Sequence, residues 1–426
     1  MRIAVVGAGI VGVTSAYELA AAGHEVTVFE QGGSVAAEAS FAHAGLDGPG
    51  CAVAWSPLAV TGSLLGLLLR GRLPDALTLS AHPGSVSWTL QWLSANRASA
   101  QLMRRQRLHR LAAYSFARTV ELTRVLHLDF ERSNGVLVVS RSATDTQRMQ
   151  PAWAALAELG IRSRQLSPEQ CLSVEPGLNP HAPLHAALLL PDEGASNCRE
   201  FAHLMRQQAQ RHGTRFVFHA QVLAIHPGAH PELEVALTDK ASDTRQTRER
   251  FDAVVLCAAL GSHRLLSSLG VKLPMVGVNG HTITAPLRLD DVHPHIGPNS
   301  VLLDPGRRVT ISRAGSRVRV SGGARVGRKS RTGTAKALRQ LYHALDEWFP
   351  GAARVGQAQH WQGASPTLPD GLPVIGPSGT EGVWLNLGHG SAGWTLACGS
   401  AQVLTAMISG VPPDIDTDGL GATRFR

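Results

Sequence analysis

The chain opens on a run of four apolar residues, Ile3-Ala4-Val5-Val6, and then its apolar period changes. Through Ile10 to Ala22 the apolar positions follow a helical spacing. From Glu25 to Glu30 the sequence Glu-Val-Thr-Val-Phe-Glu returns to that of a strand. The pattern predicts a β-α-β unit at the start. Beyond it, helical spacing extends from about 85 to 128, with Trp88, Leu90, Trp92 and Leu93 and later Leu108, Leu111, Tyr114 and Phe116 on apolar faces. A strand is predicted over Gly135–Val139, a helix over Met149–Leu159 closed by Gly160, and another over Arg199–His212 closed by Gly213. Strands over Arg215–Phe218 and Gln221–Ile225 precede a polar hairpin between Gly228 and Arg250. Ala253-Val254-Val255-Leu256-Cys257 is continuously apolar, as a strand inside a parallel sheet is. Residues 274–325 read as strand-rich, Thr334–Trp348 as a helix, and Ala397–Ile408 as the last helix. The alternation of elements predicts an α/β fold with no internal repeat.

The turn of the first unit carries the chemistry. Gly7 permits a tight strand-to-helix turn, Gly9 lets the backbone approach a pyrophosphate, and Gly12 lets the helix pack closely on the strand. The N–H groups of Ile10, Val11 and Gly12 at the helix start would hold the pyrophosphate, and Glu30 would bond ribose hydroxyls. A dinucleotide site is the expectation. The carboxylate of Glu30 would repel a 2′-phosphate, which argues against NADP and leaves NAD and FAD.

Composition changes this picture little. At 426 residues the chain has room for about two domains. Its net charge of +8 suits anionic ligands or an anionic membrane surface and does not by itself indicate nucleic-acid binding, which we do not expect. The run Arg104-Arg105-Gln106-Arg107 with Arg110 reads as a solvated helix face. Five cysteines without a CxxC pair imply neither a disulfide framework nor a zinc site, and the histidines form no metal signature, so a reducing cytoplasm and no metal are expected. Leu58–Leu69 is the longest apolar run, followed by Arg70 and Arg72, and is too short to span a membrane. It reads as a buried or domain-covering segment or, alternatively, as a peripheral contact with the inner face of the cell membrane, near quinones.

Two C-terminal segments stand out: Pro369-Asp370-Gly371-Leu372-Pro373-Val374-Ile375-Gly376 and Gly388-His389-Gly390-Ser391-Ala392-Gly393-Trp394-Thr395. Small residues before a helix let backbone amides reach an electron-rich ligand edge, where they stabilise growing negative charge. With the opening glycines, Glu38-Ala39-Ser40-Phe41-Ala42-His43-Ala44-Gly45 and Ala258-Ala259-Leu260-Gly261, these segments resemble the FAD-dependent D-amino acid oxidase superfamily, most closely its bacterial D-amino acid dehydrogenase small-subunit branch. The resemblance covers essentially the whole chain. It implies non-covalent FAD, with the pyrophosphate at Gly7, Gly9 and Gly12 and the ribose at Glu30 beside Gln31. It places Ser40, Ala42, His43, Gly45, Ala258 and Gly261 along the cofactor, Val222 near the adenine, and Gly388, Gly390, Gly393, Trp394 and Thr395 beside the flavin ring.

The implied architecture is a Rossmann-type FAD-binding domain, with a parallel sheet, plus an α+β substrate domain with an antiparallel sheet. The boundaries expected are 1–84, 150–266 and 355–426 for the first and 85–149 and 267–354 for the second. The implied reaction is oxidative deamination of a D-amino acid to a 2-oxo acid and ammonia, with electrons passing to a quinone or other carrier. Two positions depart from the family. Ser365, in Gly363-Ala364-Ser365-Pro366, stands where relatives carry the arginine that binds the substrate carboxylate, and Asn279-Gly280-His281 replaces a segment with lysine and tyrosine. Arg313 and Arg325 are candidate substitutes for that arginine. His281, Ser365 and His389 are the catalytic candidates. The departures also admit a secondary amine or imino acid as substrate, or a flavin-binding subunit without catalysis.

Overall fold

The computed structural model describes residues 1–54, 83–95, 97–238, 244–289, 296–326 and 331–425; Leu58–Leu69 lies outside them. The chain begins with β1 (Arg2–Val6), α1 (Ile10–Ala21), β2 (Glu25–Glu30), β3 (Leu46–Asp47), α2 (Pro49–Ala54), α3 (Pro83–Ala95) and α4 (Ala98–Val125). It continues with β4 (Arg132–Ser140), α5 (Ala143–Glu158), β5 (Arg164–Leu166), α6 (Pro168–Val174), β6 (Ala186–Ser196), α7 (Cys198–Arg211), β7 (Arg215–Phe218), β8 (Ala220–His226), β9 (Glu232–Thr238) and β10 (Thr244–Arg250). After β11 (Ala253–Leu256) and α8 (Ser262–Ser268) come β12 (Val276–Pro286), β13 (Val301–Asp304), β14 (Val309–Ala314), β15 (Arg317–Val326) and α9 (Arg331–Trp348). The last elements are β16 (Gln359–Thr367), β17 (Val374–Pro377), β18 (Val383–Leu387) and α10 (Gly393–Ile408).

Three sheets organise these elements. A six-stranded sheet runs in the order β17-β18-β11-β1-β2-β7, parallel except at the β17–β18 edge. It is the expected Rossmann-type sheet, and β11, continuously apolar, sits at its centre. A small antiparallel sheet, β10-β9-β8, carries the predicted polar hairpin. A larger, mostly antiparallel sheet runs β16-β12-β15-β14-β13-β4-β6-β3, with β5 paired to β6.

Burial follows sequence period. In α7, Phe201, Met205 and Ala209 recur at four-residue spacing and are fully buried, Asn197 accepts a hydrogen bond from Glu200 N at 3.3 Å, and Gly213, at φ +86°, ends the element. In α9, Leu341, Ala344, Leu345 and Trp348 form the buried stripe against the large sheet. Each large apolar side chain so removed from water contributes about 1.5–3 kcal/mol.

Sheet membership cuts across the expected domain boundaries. Strands β6 and β16, expected in the FAD-binding part, belong to the large antiparallel sheet, whereas α4, expected in the substrate part, packs on α10 and α2. The boundaries had followed motif positions along the chain, while long-range backbone pairing decides which sheet a strand joins. Helix α10 likewise begins at Gly393 rather than Ala397, because Gly393-Trp394-Thr395 already takes helical geometry. No described helix is long and apolar enough to cross a membrane.

The turn after β1 is set by close approach. Gly7 has φ +100°, and a Cβ at Gly12 would lie 1.9 Å from the Gly7 carbonyl oxygen. No side chain fits there without moving α1 off the sheet. Gly12→Ala should therefore lower the unfolding free energy by about 1–3 kcal/mol or more, read as a drop in Tm. Gly356→Ala, where nothing lies within 4 Å of an added Cβ, should leave Tm unchanged.

Candidate functional site

The glycine turn is braced by an acid. Glu30, ending β2, accepts from Ala8 N through Oε2 and from Gly32 N through Oε1, both at 2.7 Å. The same carboxylate that would bond a ribose thus holds both neighbouring turns. At the start of α1, Ile10 N donates to Ser40 Oγ at 3.2 Å, and Gly9 supplies no capping side chain to the helix. Gly7 and Gly12 are crowded by protein, whereas a Cβ at Gly9 would meet only Ser40 Oγ, at 3.7 Å. The backbone there is open, and the helix start would present its dipole and free amides to an anion. These residues fit the pyrophosphate and ribose of FAD.

Further along the same surface, Ala258 lies against Gly7, whose ideal Cβ would come within 2.9 Å of it, and Gly261 closes a 3₁₀ turn after β11. Val222 is in β8, its side chain in the core and its carbonyl accepting from Arg264 Nη2 at 3.3 Å. Gln31 is exposed and donates to Glu38 at 3.3 Å.

The loop from Ser40 to Asp47 ties three parts of the fold together. His43 Nδ1 accepts from Gly45 N at 3.1 Å, so its proton sits on Nε2, which donates to the Ser391 carbonyl at 3.0 Å. Burial lowers its pKa and keeps the ring neutral. The Ala42 carbonyl accepts from Thr282 Oγ1 at 2.9 Å, and the His43 carbonyl from Arg319 Nη1 at 3.0 Å. Gly45 has φ +84° and passes within reach of Ser196, whose N donates to its carbonyl at 2.9 Å.

Against this loop stands the C-terminal segment. Gly388 has φ +81° and packs so closely on Leu368 that a Cβ would overlap it, and Gly390 has φ +58°. From Gly393 the chain enters α10. Thr395 Oγ1 donates to the Leu46 carbonyl at 3.1 Å. Trp394 turns its side chain into the core beside Phe201, ring centroids 4.8 Å apart, and its Nε1 donates to Ser196 Oγ at 3.0 Å. Its indole is therefore structural, and only its backbone is free to meet a cofactor. Cys398 is buried in the same helix, remote in character from a covalent attachment point.

A cavity of about 470 Å³ lies between the Ala42–Leu46 loop, the His389–Thr395 segment and the large sheet. It brings together the three catalytic candidates. His281, on β12, is 6% exposed, and burial followed by the charge of Arg325 lowers its pKa. His389 is 4% exposed, donates to or accepts from Ser400 Oγ at 3.0 Å, and is pushed by burial down to about 3. Lowered pKa values keep both rings neutral at physiological pH. Ser365, on β16, lines the same cavity between small neighbours, with Gly363 and Ala364 beside it.

The two arginines considered as substitutes for the missing carboxylate partner are not among the lining residues. Arg313 turns to the Gly315 carbonyl at 2.9 Å, and Arg325 sits opposite Asn279 on β15. Sequence reasoning missed Thr282, Ser321 and Trp361, which line the cavity, and Arg319, buried under His43. Alternation along β12, β15 and β16 held the signal for the first three. Among the described residues no cluster of three metal-ligating side chains occurs.

Asp47 links the loop to α10: it accepts from Ser196 Oγ at 2.8 Å, the same hydroxyl that receives the Trp394 indole N–H. Desolvation, with Glu193 adding to it, pushes its pKa up to about 6. The folded chain thus holds a proton that the unfolded chain releases near pH 4, and stability falls as pH rises from about 4 to about 6. Asp47→Asn should remove that loss. By thermal unfolding it should melt with wild type near pH 4 and a few degrees above it near pH 8.

Comparison with known proteins agrees with this geometry. A family model described as FAD dependent oxidoreductase matches residues 2–407. Proteins named D-amino acid dehydrogenase from Rhizorhabdus wittichii and Agrobacterium fabrum are 35% and 33% identical, each covering 100% of both chains. Among solved structures, glycine oxidase from Geobacillus kaustophilus superposes with a TM-score of 0.72 at 19% identity, covering 99% of each chain. L-proline dehydrogenase from P. horikoshii superposes with a TM-score of 0.70 at 15% identity, covering 100% of this chain and 97% of its own. These two structures share the fold.

Proposed function

The chain belongs to the FAD dependent oxidoreductase family, and from that membership we propose that it oxidises the CH–NH₂ group of a D-amino acid. The product is an imino acid, which water hydrolyses to a 2-oxo acid and ammonia. Electrons then leave to a quinone or another carrier. The full-length relatives named D-amino acid dehydrogenase support this substrate.

The observation that carries the reading is the cavity, which joins the Ala42–Leu46 and His389–Thr395 segments to the wall of the large sheet. Bound FAD supplies the two-electron oxidant there. The chain itself orients and encloses. Gly7 to Gly12 and Glu30 hold the dinucleotide, and the small residues Gly363, Ala364 and Ser365 leave room for the amino acid. Because the amine lone pair drives hydride departure, no strong base is needed, and His281 and His389, both neutral, suit hydrogen bonding to substrate. Placement of the α-hydrogen is the main contribution of the fold.

One observation favours a second reading. Ser365 offers a neutral hydroxyl where a carboxylate would take a bidentate arginine, which suits a secondary or N-substituted amine such as an imino acid of the hydroxyproline type. If no amine or amino acid is oxidised, the chain acts instead as a flavin-binding subunit.

Anaerobic absorbance of the FAD-loaded protein separates these readings. D-amino acids should bleach the flavin band while their L-enantiomers leave it unchanged. Bleaching by secondary amines alone would move the assignment to the second reading, and a flavin reduced by neither class would overturn both.

A further inference from the structure

The cavity is lined by five residues with formal charge: Arg141, Asp145, Arg148, Asp304 and Arg308. Four of them are engaged with one another or with neighbours. Arg141 donates to Asp304 at 2.9 Å and to Glu347 at 2.6 Å, and Arg148 meets Asp145 at 3.3 Å. The three histidines of the lining, His43, His281 and His389, all have lowered pKa values. Arg308 remains as a cation that forms no ion pair with a described residue.

Arg308 is exposed, and the turn that carries it is fixed by its backbone. Arg308 has φ +55°, in the left-handed region that residues with a side chain enter uncommonly and mostly at turns. The Arg308 carbonyl lies 2.9 Å from where a Cβ of Gly322 would be, so the turn between β13 and β14 is pressed onto β15 at a glycine. The strand that follows reaches the cofactor loop: Thr310 lines the cavity, and Ser312 Oγ donates to the Ala44 carbonyl at 3.4 Å. Arg308 is thus carried at the cavity by the turn that leads into the strand contacting the loop.

We propose that Arg308 binds the substrate carboxylate, supplying from the turn before β14 the cation that Ser365 does not supply from β16. The proposal rests on the amino-acid reading of the cavity. A monoanionic carboxylate balances a lining cation that forms no ion pair among the described residues, and the planar fork of arginine matches it in a way that the Ser365 hydroxyl cannot. Substrates with a free carboxylate are then preferred over amines that lack one.

The test uses the FAD-loaded chain, wild type and the variants Arg308→Gln and Arg308→Lys, with equal flavin content as the control for folding. Benzoate, a carboxylate without an amine, serves as probe, its Kd read from perturbation of the flavin spectrum. Losing a bidentate charged hydrogen bond should raise Kd roughly 10- to 100-fold in Arg308→Gln, with Arg308→Lys between the two. The KM for a D-amino acid should rise in parallel. Flavin reduction by an amine without a carboxylate should not change. If D-amino acids reduce the flavin of wild type and Arg308→Gln alike and the benzoate Kd is unchanged, the role of Arg308 is overturned while the substrate reading stands. If benzoate binding depends on Arg308 but no D-amino acid bleaches the wild-type flavin, the substrate reading fails and the anchor stands. A wild type that binds no benzoate also overturns the anchor.

Discussion

The contact on which the rest depends is the seating of α1 on β1, where the Gly12 α-carbon lies against the Gly7 carbonyl with no room for a side chain. Because the helix sits so close, its polar residues are buried and must bond across it rather than to water. Thr14 Oγ1 donates to the Ala397 carbonyl on α10 at 3.2 Å, and Ser15 Oγ accepts from Asn386 Nδ2 on β18 at 3.0 Å. One helix therefore sets the position of the glycine turn, the last strand and the last helix together. The segment between that strand and that helix, Gly388 to Ala392, is carried to the mouth of the cavity as a consequence.

Much of this was legible in the sequence where a local rule governs. Four apolar residues, three spaced glycines and a terminal acid describe a β-α-β unit whose parts are all near one another, and β11 was readable as a buried parallel strand because it lacks alternation. The end of α7 followed from Gly213, while its start, read at Arg199, lies at Cys198 with Asn197 as the cap. What local rules do not contain is partner choice. Nothing in Ala186–Ser196 states that it pairs with β4 in the large sheet, and nothing in Ala98–Val125 states that it covers α10. Arg319 shows the same limit: the alternation Arg317-Val318-Arg319-Val320 suggests an outward arginine, yet it is 7% exposed, because the loop carrying His43 folds over it and offers a carbonyl. Trp394 lies in a segment that resembles a cofactor contact, and Phe201, two hundred residues away in sequence, decides where its ring goes.

The chemistry of the site is one of neutral groups in a basic protein. A chain of net charge +8 surrounds a cavity in which burial lowers the pKa of every lining histidine and most formal charge is paired. Such surroundings suit hydride transfer, in which no proton need be taken from carbon and stray protonation of the amine would stop the reaction by occupying its lone pair. Among the uncharged polar residues of the lining, Thr282 and Ser321 bond to each other, and Ser365 stands among small neighbours.

The Ser40–Asp47 loop is where the sheets meet, and its bonds explain why the two halves of the site hold one geometry. Ser40 bonds the first turn of α1, Ala42 and Ala44 accept from β12 and β14, His43 bonds Ser391 ahead of α10, and Asp47 reaches Ser196 at the end of β6. Each bond is modest alone, about 0.5–1.5 kcal/mol, but together they join α1 and α10 to the antiparallel sheet through a segment whose only strand is the short β3. Hydroxyls of β12 and β14 bond the carbonyls of the loop, and His43 of the loop bonds Ser391 in the segment before α10. Residues of β12 and β14 thereby share in holding the loop against the cavity wall that they also line.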